Sequence, residues 1–269
     1  MGESSLRERK TRGWLLLAAP GLLLTLLLGL PVLAILLEGI GGNLSGTFLD
    51  AQALEALRVS LVTSSTSTVA ALLLGTPLAY TLARVPFRGR ALVEILVDLP
   101  IVLPPSVAGL GLLLAFGRRG LLGGSLELLG ISLPFTTAAV VLAQLFVAGP
   151  LYVRAARIGF GAVDRQMEEA AVAEGANPWQ LFRWVMVPAA SQALLSGTLL
   201  CWARALGEFG ATILFAGNLV GRTQTMPLAI YIGLESNRGA AVGLSVLLLG
   251  VSTLFLALMR RLERGWQVA

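Results

Sequence analysis

Residues 168–188 read EEAAVAEGANPWQLFRWVMVP, a stretch with charged or polar side chains on almost every helical turn, and the sequence on either side of it is strongly apolar. Of the 269 residues, 56% are hydrophobic and 13% are charged, and the mean hydropathy is +0.81. Charged residues make up about 25% of a typical soluble protein. So few charges cannot cover a water-facing exterior, which predicts a membrane protein surrounded by lipid.

Around this stretch, six segments meet the requirement for a membrane-crossing helix, which is about 20 mainly apolar residues. They are residues 14–37, 57–82, 92–116, 136–158, 189–206 and 240–259. The first is longer than the apolar core of a cleaved signal peptide, so we expect it to be retained. The prediction is an all-α polytopic membrane protein with six transmembrane helices, an N-terminal segment at 1–13 and a membrane core at 54–260.

The basic residues predict how these spans are oriented. With six spans, 14 of the 20 basic residues fall in four regions on one side: the N-terminus, the second-to-third loop, the fourth-to-fifth segment and the C-terminus. Basic loops stay cytoplasmic, so this side and both termini are expected in the cytoplasm. Arg118 and Arg119 are the main exception, because both fall outside. This clustering between spans indicates a membrane protein rather than a nucleic-acid-binding one.

Three absences limit the chemistry that the chain performs. The sequence contains no histidine, which excludes imidazole metal ligands and histidine-based catalysis. Cys201 is the single cysteine, so no internal disulfide forms. Lys10 is the single lysine and no phosphate-binding loop surrounds it, so any energy from ATP must come from another chain. We therefore expect no catalytic residue, no metal and no cofactor bound by this chain.

The opening stretch, which the predicted orientation puts in the cytoplasm, has the signals of two short helices. Asp164 is suited to cap a helix that has Glu168 and Glu169 near its positive end. Gly175 is suited to end that helix in the left-handed conformation, and Asn177 followed by Pro178 indicates the start of a second helix. A solvated loop with some helix is the alternative, and local pattern alone does not separate the two.

The spacing within this stretch resembles the EAA loop of ABC importer permeases of type I. Glu169, Ala170 and Ala171, then Gly175 after three residues and Pro188 at the end match that pattern, with valine at 185 and 187 in place of isoleucine and leucine. The resemblance implies that residues 164–188 form the coupling loop that docks on a cytoplasmic ATPase. The residues expected to couple to the ATPase are Glu168, Glu169, Ala170, Ala171, Gly175, Asn177, Pro178 and Pro188.

The same resemblance implies the partners of the chain. These are a second copy of the permease, two cytoplasmic ABC ATPase subunits that bind ATP-Mg, and an extracytoplasmic substrate-binding protein, all at the cytoplasmic (inner) membrane. Residues 98–117 and 203–231, with the loop, look like molybdate, tungstate and sulfate permeases. The segments GEFGAT and PLAIY favour molybdate or tungstate, and sulfate or thiosulfate is the alternative.

Polar residues and prolines within the spans are candidates for the translocation path. Arg204 and Glu208 lie four residues apart in an apolar segment, where charges usually pair and face the bundle interior. The alternative for this pair is a structural salt bridge at the outer end of the span. The other candidates are Ser64 and Ser67, whose alternative role is helix packing, and Pro104 and Pro105, which should kink the third span as a gate or as a rigid bend.

Two rival functions belong to other classes. A polytopic membrane enzyme would need a catalytic group, and Asp50 and Asp164 are expected on opposite sides of the membrane. A self-powered secondary transporter would need proton or sodium sites in the middle of its spans, which the sequence does not indicate. Transport powered by a partner ATPase is the leading hypothesis.

Overall fold

The computed structural model describes residues 3–41 and 50–267, and side chains are described for 18–41 and 50–261. Residues 1 and 2 of the predicted segment 1–13 lie outside the described residues, as do the side chains of its basic residues and of Arg264. Every regular element in the described part is helical. The helices are α1 Glu3–Gly41, α2 Ala51–Arg84, α3 Arg90–Val102, α4 Pro105–Phe116, α5 Gly123–Leu128, α6 Thr137–Ala162, α7 Arg165–Ala173, α8 Pro178–Ala189, α9 Ser191–Leu206, α10 Gly210–Phe215, α11 Met226–Ser236 and α12 Arg238–Gln267.

Helices α2 and α6 form the centre of the fold and run in the same direction. At one end, Arg84 Nε donates to the carbonyl oxygen of Phe160 at 2.9 Å. At the other end, Gln52 Nε2 donates to Gln224 Oε1 at 3.2 Å, and Thr137 Oγ1 donates to the Arg222 carbonyl at 3.0 Å. We refer to these as the Arg84 end and the Thr137 end of the bundle.

Small residues let α2 and α6 approach closely. Ala71 and Ala79 of α2 pack with Ala148 and Ala156 of α6 in one buried cluster. The two helices are in very close contact at Gly75, where an added Cβ would lie 2.9 Å from Val153 Cγ2. Small interface residues are a common feature of helix pairs in membranes, where lipid is as apolar as leucine and tight packing drives association.

In the described part of the chain, four helices are long and apolar enough to cross a membrane. Their apolar parts are Ala18–Gly41, Ala51–Arg84, Thr137–Ala162 and Arg238–Arg261. Helices α8 and α9 make a fifth if they count as one span, although they are bent by 73° relative to each other. On its own, α9 has 16 residues and a length of about 24 Å, which is less than the roughly 30 Å of a bilayer core.

The third predicted span, residues 92–116, is not one continuous helix. It is divided into α3 and α4 by Leu103 and Pro104, both of which have extended backbone with ψ of 134° and 137°. The physical reason is the pair Pro104 and Pro105, because two successive residues lack the N–H that continues a helix. Pro100 is a further proline of this span, and it lies inside α3 without ending it.

Together, α3 and α4 run the length of the bundle. Near the start of α3, Glu94 Oε1 lies 3.3 Å from Arg157 Nη1 of α6, at the Arg84 end. At the end of α4, the Phe116 ring lies 6.5 Å from the Phe215 ring, and the Phe215 carbonyl accepts from the Phe135 N–H next to α6 at the Thr137 end. Together, α3 and α4 therefore extend from one end of the bundle to the other, as one span with a break in the middle would.

Helix α1 lies at the edge of the structure. It packs mainly against α12, and Arg238 Nη2 of α12 lies 3.2 Å from Glu38 Oε1 of α1. Within Ala18–Gly41, the most apolar 18-residue window has no buried residue. Leucines such as Leu23 and Leu27 are about two-thirds exposed, at 70% and 67%, which suits contact with lipid or another apolar surface rather than water.

A matched pair of glycines on α4 tests the packing at the broken helices. A Cβ added to Gly109 would lie 2.9 Å from the backbone of Ala211 in α10, whereas a Cβ added to Gly111 would meet nothing within 4 Å. Gly109→Ala should lower the free energy of unfolding by about 1–3 kcal/mol, because overpacking pushes the helices apart. Thermal melting of the purified protein in detergent measures the effect, with Gly111→Ala as the control. Equal melting temperatures for the two variants would contradict this packing.

Candidate functional site

The polar segment after α6 folds into two short helices joined by a tight turn. Asp164 Oδ1 accepts from the Gln166 N–H at 3.0 Å and caps α7, as the sequence predicts. Gly175 has φ of +90°, the left-handed conformation predicted for the residue that ends this helix. The N–H of Gly175 donates to the Val172 carbonyl and that of Ala176 donates to the Ala171 carbonyl, so the end of α7 is closed by its own backbone.

The second helix, α8, begins with a complete capping box. Asn177 Oδ1 accepts from the Gln180 N–H, and Gln180 Oε1 accepts from the Asn177 N–H, both at 2.9 Å. Pro178 occupies the first helical position, where its missing N–H costs nothing. Leu181–Met186 widens into a π-helical turn before Pro188, and the chain then bends into α9. The segment is a defined two-helix unit, which decides against the alternative of a solvated loop with some helix.

Several side chains of this unit are exposed at the surface of the described chain. Met167, Val172 and Trp179 are 48%, 57% and 66% exposed, and Glu169 and Ala170 are exposed beside them. We call these five residues the outer face. Ala171, predicted to share this contact surface, is half-buried at its edge. Contiguous patches of exposed apolar side chains are typical of surfaces that bind another protein.

The unit is anchored on α2 and α6 by aromatic rings. The Tyr80 ring centroid lies 5.5 Å from that of Phe160 and 5.1 Å from that of Phe182 in α8, both in edge-on geometry. The Trp179 ring continues this group 5.8 Å from Phe182. Met186 of α8 is completely buried. Aromatic pairs of this kind add to the stability gained by burial, so α8 is held firmly against the bundle.

Glu168 does not belong to the outer face, although the sequence groups it with the residues that couple to an ATPase. Its Oε1 lies 2.9 Å from Arg84 Nη1, with side chains 22% and 10% exposed. The contact is an ion pair rather than an aligned hydrogen bond. Arg84 turns Glu168 toward the bundle and leaves Glu169 as the outward carboxylate. Sequence reasoning missed Arg84 in this role, and its one signal is a basic residue in the last turn of α2.

The serines predicted for a path are enclosed within the chain. Ser64 and Ser67 are fully buried, and their hydroxyls donate to carbonyls of their own helix, to Leu61 at 3.3 Å and to Ser64 at 3.0 Å. Neither hydroxyl is accessible from the surface of the chain. These bonds support the alternative role in helix packing.

Arg204 and Glu208 form a close pair at the end of α9. Arg204 Nη1 donates to Glu208 Oε2 at 2.5 Å, and Glu208 Oε1 accepts from the Ala211 N–H at 2.8 Å. The Glu208 side chain is 1% exposed and that of Arg204 is 34% exposed. Glu208 thus pairs with Arg204 and caps the start of α10, a structural role that leaves the Arg204 side chain about one-third exposed.

The two broken helices meet beside this pair. Pro104 and Pro105 are exposed at the break between α3 and α4. Gly210, at the break between α9 and α10, packs so closely that an added Cβ would lie 2.7 Å from Pro105 Cβ. The structure therefore brings the predicted path residues Pro104, Pro105, Arg204 and Glu208 to neighbouring breaks, and it places Ser64 and Ser67 inside the helix packing.

Among the described residues, no group of three His, Cys, Asp or Glu side chains could hold a metal ion. The two features that stand out are the outer face of the α7–α8 unit and the pair of helix breaks. Neither of these arrangements combines a nucleophile with a general base.

Comparison with known proteins agrees with this geometry. Residues 71–268 match the model of the family described as "Binding-protein-dependent transport system inner membrane component". The molybdenum transport system permease protein ModB of Mycobacterium tuberculosis is 46% identical over 201 residues, which are 74% of this chain and 75% of that protein. The probable transport system permease protein NifC of Clostridium pasteurianum is 36% identical over 233 residues, or 86% of this chain and 81% of that protein.

A solved structure has the same fold. The crystal structure of a bacterial ABC transporter involved in the import of the acidic polysaccharide alginate aligns with a TM-score of 0.77 and 17% identity, covering 97% of this chain and 98% of that chain. At this identity, the match shows the fold alone. The chain belongs to the family of binding-protein-dependent transport system inner membrane components, the permeases of ABC importers.

Proposed function

We propose that this chain forms the translocation path of an ATP-driven importer for a tetrahedral oxyanion, with molybdate or tungstate as the substrate. The observation that carries the proposal is the outer face of the α7–α8 unit. It exposes apolar side chains on a unit that is anchored to the membrane helices. The chain itself is a non-catalytic transport subunit of the inner membrane. Sequence relatives named as molybdenum permeases, at 36–46% identity, support the choice of substrate.

The membrane topology that fits the proposal has six crossings with both termini in the cytoplasm. Helices α3 and α4 supply the crossing that length alone does not reveal, because together they extend between the two ends of the bundle. Helices α8 and α9 supply another, entered through a sharp bend. The Arg84 end is then cytoplasmic, which agrees with the basic residues of the second-to-third loop and of the segment after α6.

The partners follow from the surfaces and from what the chain lacks. Two copies of the chain would enclose the path, and the outer face of each would dock on one of two ABC ATPase subunits that bind ATP-Mg. An extracytoplasmic binding protein would deliver the oxyanion at the Thr137 end. Closure of the ATPases would move α7 and α8 and so switch the bundle between inward- and outward-facing forms. Lipid covers the remaining apolar exterior.

The neighbouring breaks support a place for the gate. Pro104 and Pro105 are exposed beside Gly210, and the Arg204 side chain is 34% exposed next to Glu208. Broken helices at membrane depth are tolerated where they line a cavity or pack within protein. In this arrangement, a partly neutralised arginine would attract a dianion without holding it tightly. The exposed Pro104–Pro105 segment would then face the second copy across the path.

Sulfate or thiosulfate is the alternative substrate class, since all these anions have a related tetrahedral shape and charge. A membrane enzyme and a self-powered secondary transporter are weaker alternatives, because the family match and the outer face both favour a permease with a partner ATPase.

Reconstitution tests the function directly. The chain, its ATPase subunit and its binding protein are placed in vesicles, and uptake of labelled molybdate is measured with and without ATP-Mg. Uptake should need all three proteins and should be inhibited more by tungstate than by sulfate. Uptake without the ATPase would show a self-powered transporter, and inhibition by sulfate equal to that by tungstate would contradict the proposed substrate.

A charge reversal tests the docking surface. Glu169→Arg should weaken binding of the ATPase subunit by about tenfold or more, because it places the wrong charge at the centre of the outer face. Co-purification and titration binding in detergent measure this loss. Glu127→Arg makes the same charge change on an exposed residue at the Thr137 end and should leave binding unchanged. Equal binding by wild type and Glu169→Arg would remove Glu169 from the docking surface.

A further inference from the structure

Arg84 joins three helices at the Arg84 end of the bundle. It is the last residue of α2, and its side chain is 10% exposed. Its Nε donates to the Phe160 carbonyl at 2.9 Å and its Nη2 donates to the Val163 carbonyl, both at the end of α6. Its Nη1 lies 2.9 Å from Glu168 Oε1 in the first turn of α7. One guanidinium therefore contacts the end of one helix and the beginning of the next.

The two carbonyls lie at the C-terminal end of α6, where a helix leaves carbonyls without partners from the next turn. The Phe160 carbonyl also accepts from the Val163 N–H at 3.3 Å. A cation at this position also meets the negative end of the helix dipole, which favours a basic side chain there. Arg84 thus caps the C-terminal end of α6 by donating from its side chain to these carbonyls. Lysine has the same charge, but its single ammonium lacks the planar fork of donors that reaches three oxygens.

The carboxylate of Glu168 adds a second attraction on the other side of the guanidinium. Both side chains are largely buried, so salt and water screen this ion pair less than an exposed one. Among the ion pairs of the described residues, it is the one that connects α7 to another helix. The nearby pairs of Arg157 with Glu94 and Asp98 connect α6 to α3 and do not involve the α7–α8 unit.

Helix α7 has few other anchors of this kind. No α7 residue is fully buried, and the aromatic group of Tyr80, Phe160 and Phe182 holds α8 rather than α7. Loss of the ion pair would leave α8 in place but would let α7 move independently of α2.

We infer that Arg84 is a positioning residue that makes α7 move together with α2 and the end of α6, so that force applied to the outer face reaches the membrane helices. This inference rests on the proposed function. Glu168 is its partner within the chain rather than a contact to the ATPase. Loss of the pair should therefore separate ATP hydrolysis from transport without releasing the ATPase.

The experiment uses the complete reconstituted complex and measures oxyanion transported per ATP hydrolysed. Glu168→Gln keeps the shape of the side chain and removes its charge, and it should lower this ratio by about tenfold with normal ATPase binding. Arg84→Gln should lower the ratio at least as much, and Arg84→Lys should recover part of it. Arg88→Gln, which removes an exposed arginine four residues later, should behave as wild type.

The double variant Arg84→Gln with Glu168→Gln decides whether the residues act through each other. A ratio no lower than that of Arg84→Gln alone supports the inference, and two losses that multiply overturn it. An unchanged ratio in Glu168→Gln overturns it as well. Loss of ATPase binding in Glu168→Gln would overturn it by making Glu168 a docking residue. Absence of ATP-driven transport by the wild-type complex would instead contradict the proposed function.

Discussion

A bilayer offers no hydrogen bonds, so each interruption of a membrane helix must be satisfied by the protein itself. The structure meets this constraint differently at two breaks. At the break between α9 and α10, Glu208 accepts from the Ala211 N–H and caps the start of α10. At the break between α3 and α4, Pro104 and Pro105 have no N–H that would need a partner. The charged and proline residues within this apolar chain are therefore the residues that make a broken-helix bundle possible in lipid.

The α7–α8 unit is both anchored to the bundle and exposed on its outer face. Its inner side is tied to the bundle by an ion pair and by aromatic rings, both of which fix its position relative to α2 and α6. Its outer side keeps Val172 and Trp179 exposed. A surface that receives force from another protein must be open to that protein and rigidly joined to the helices that it moves. This unit has both properties, whereas the described residues of α1 pack mainly against α12 and are largely exposed.

Sequence reasoning succeeded where short-range chemistry determines structure. Asp164, Gly175, Asn177 and Pro178 act within three or four residues of their own positions, and each has its predicted role in starting or ending a helix. The inward direction of Glu168 depends on Arg84. This arginine lies 84 positions earlier in the sequence, at the end of another helix, and no local pattern contains that information.

The spans show the same limit. Composition predicts that residues 92–116 lie in the membrane, and their prolines predict a bend, but the close packing of this break against Gly210 joins residues far apart in the sequence. The hydroxyls of Ser64 and Ser67 look equally suited to a path and to packing until the neighbouring helices are known. Residues that act through distant partners are therefore the part of the site that required the structure.

The central claim is that the outer face of the α7–α8 unit receives the partner ATPase, and site-specific photo-crosslinking tests it most directly. A photoreactive amino acid replaces Val172 on the outer face, or Leu121, which is 90% exposed at the Thr137 end. In membranes containing the complete complex, crosslinks to the ATPase subunit should form from position 172 and be absent from position 121. Crosslinks from position 121 with none from position 172 would contradict the account.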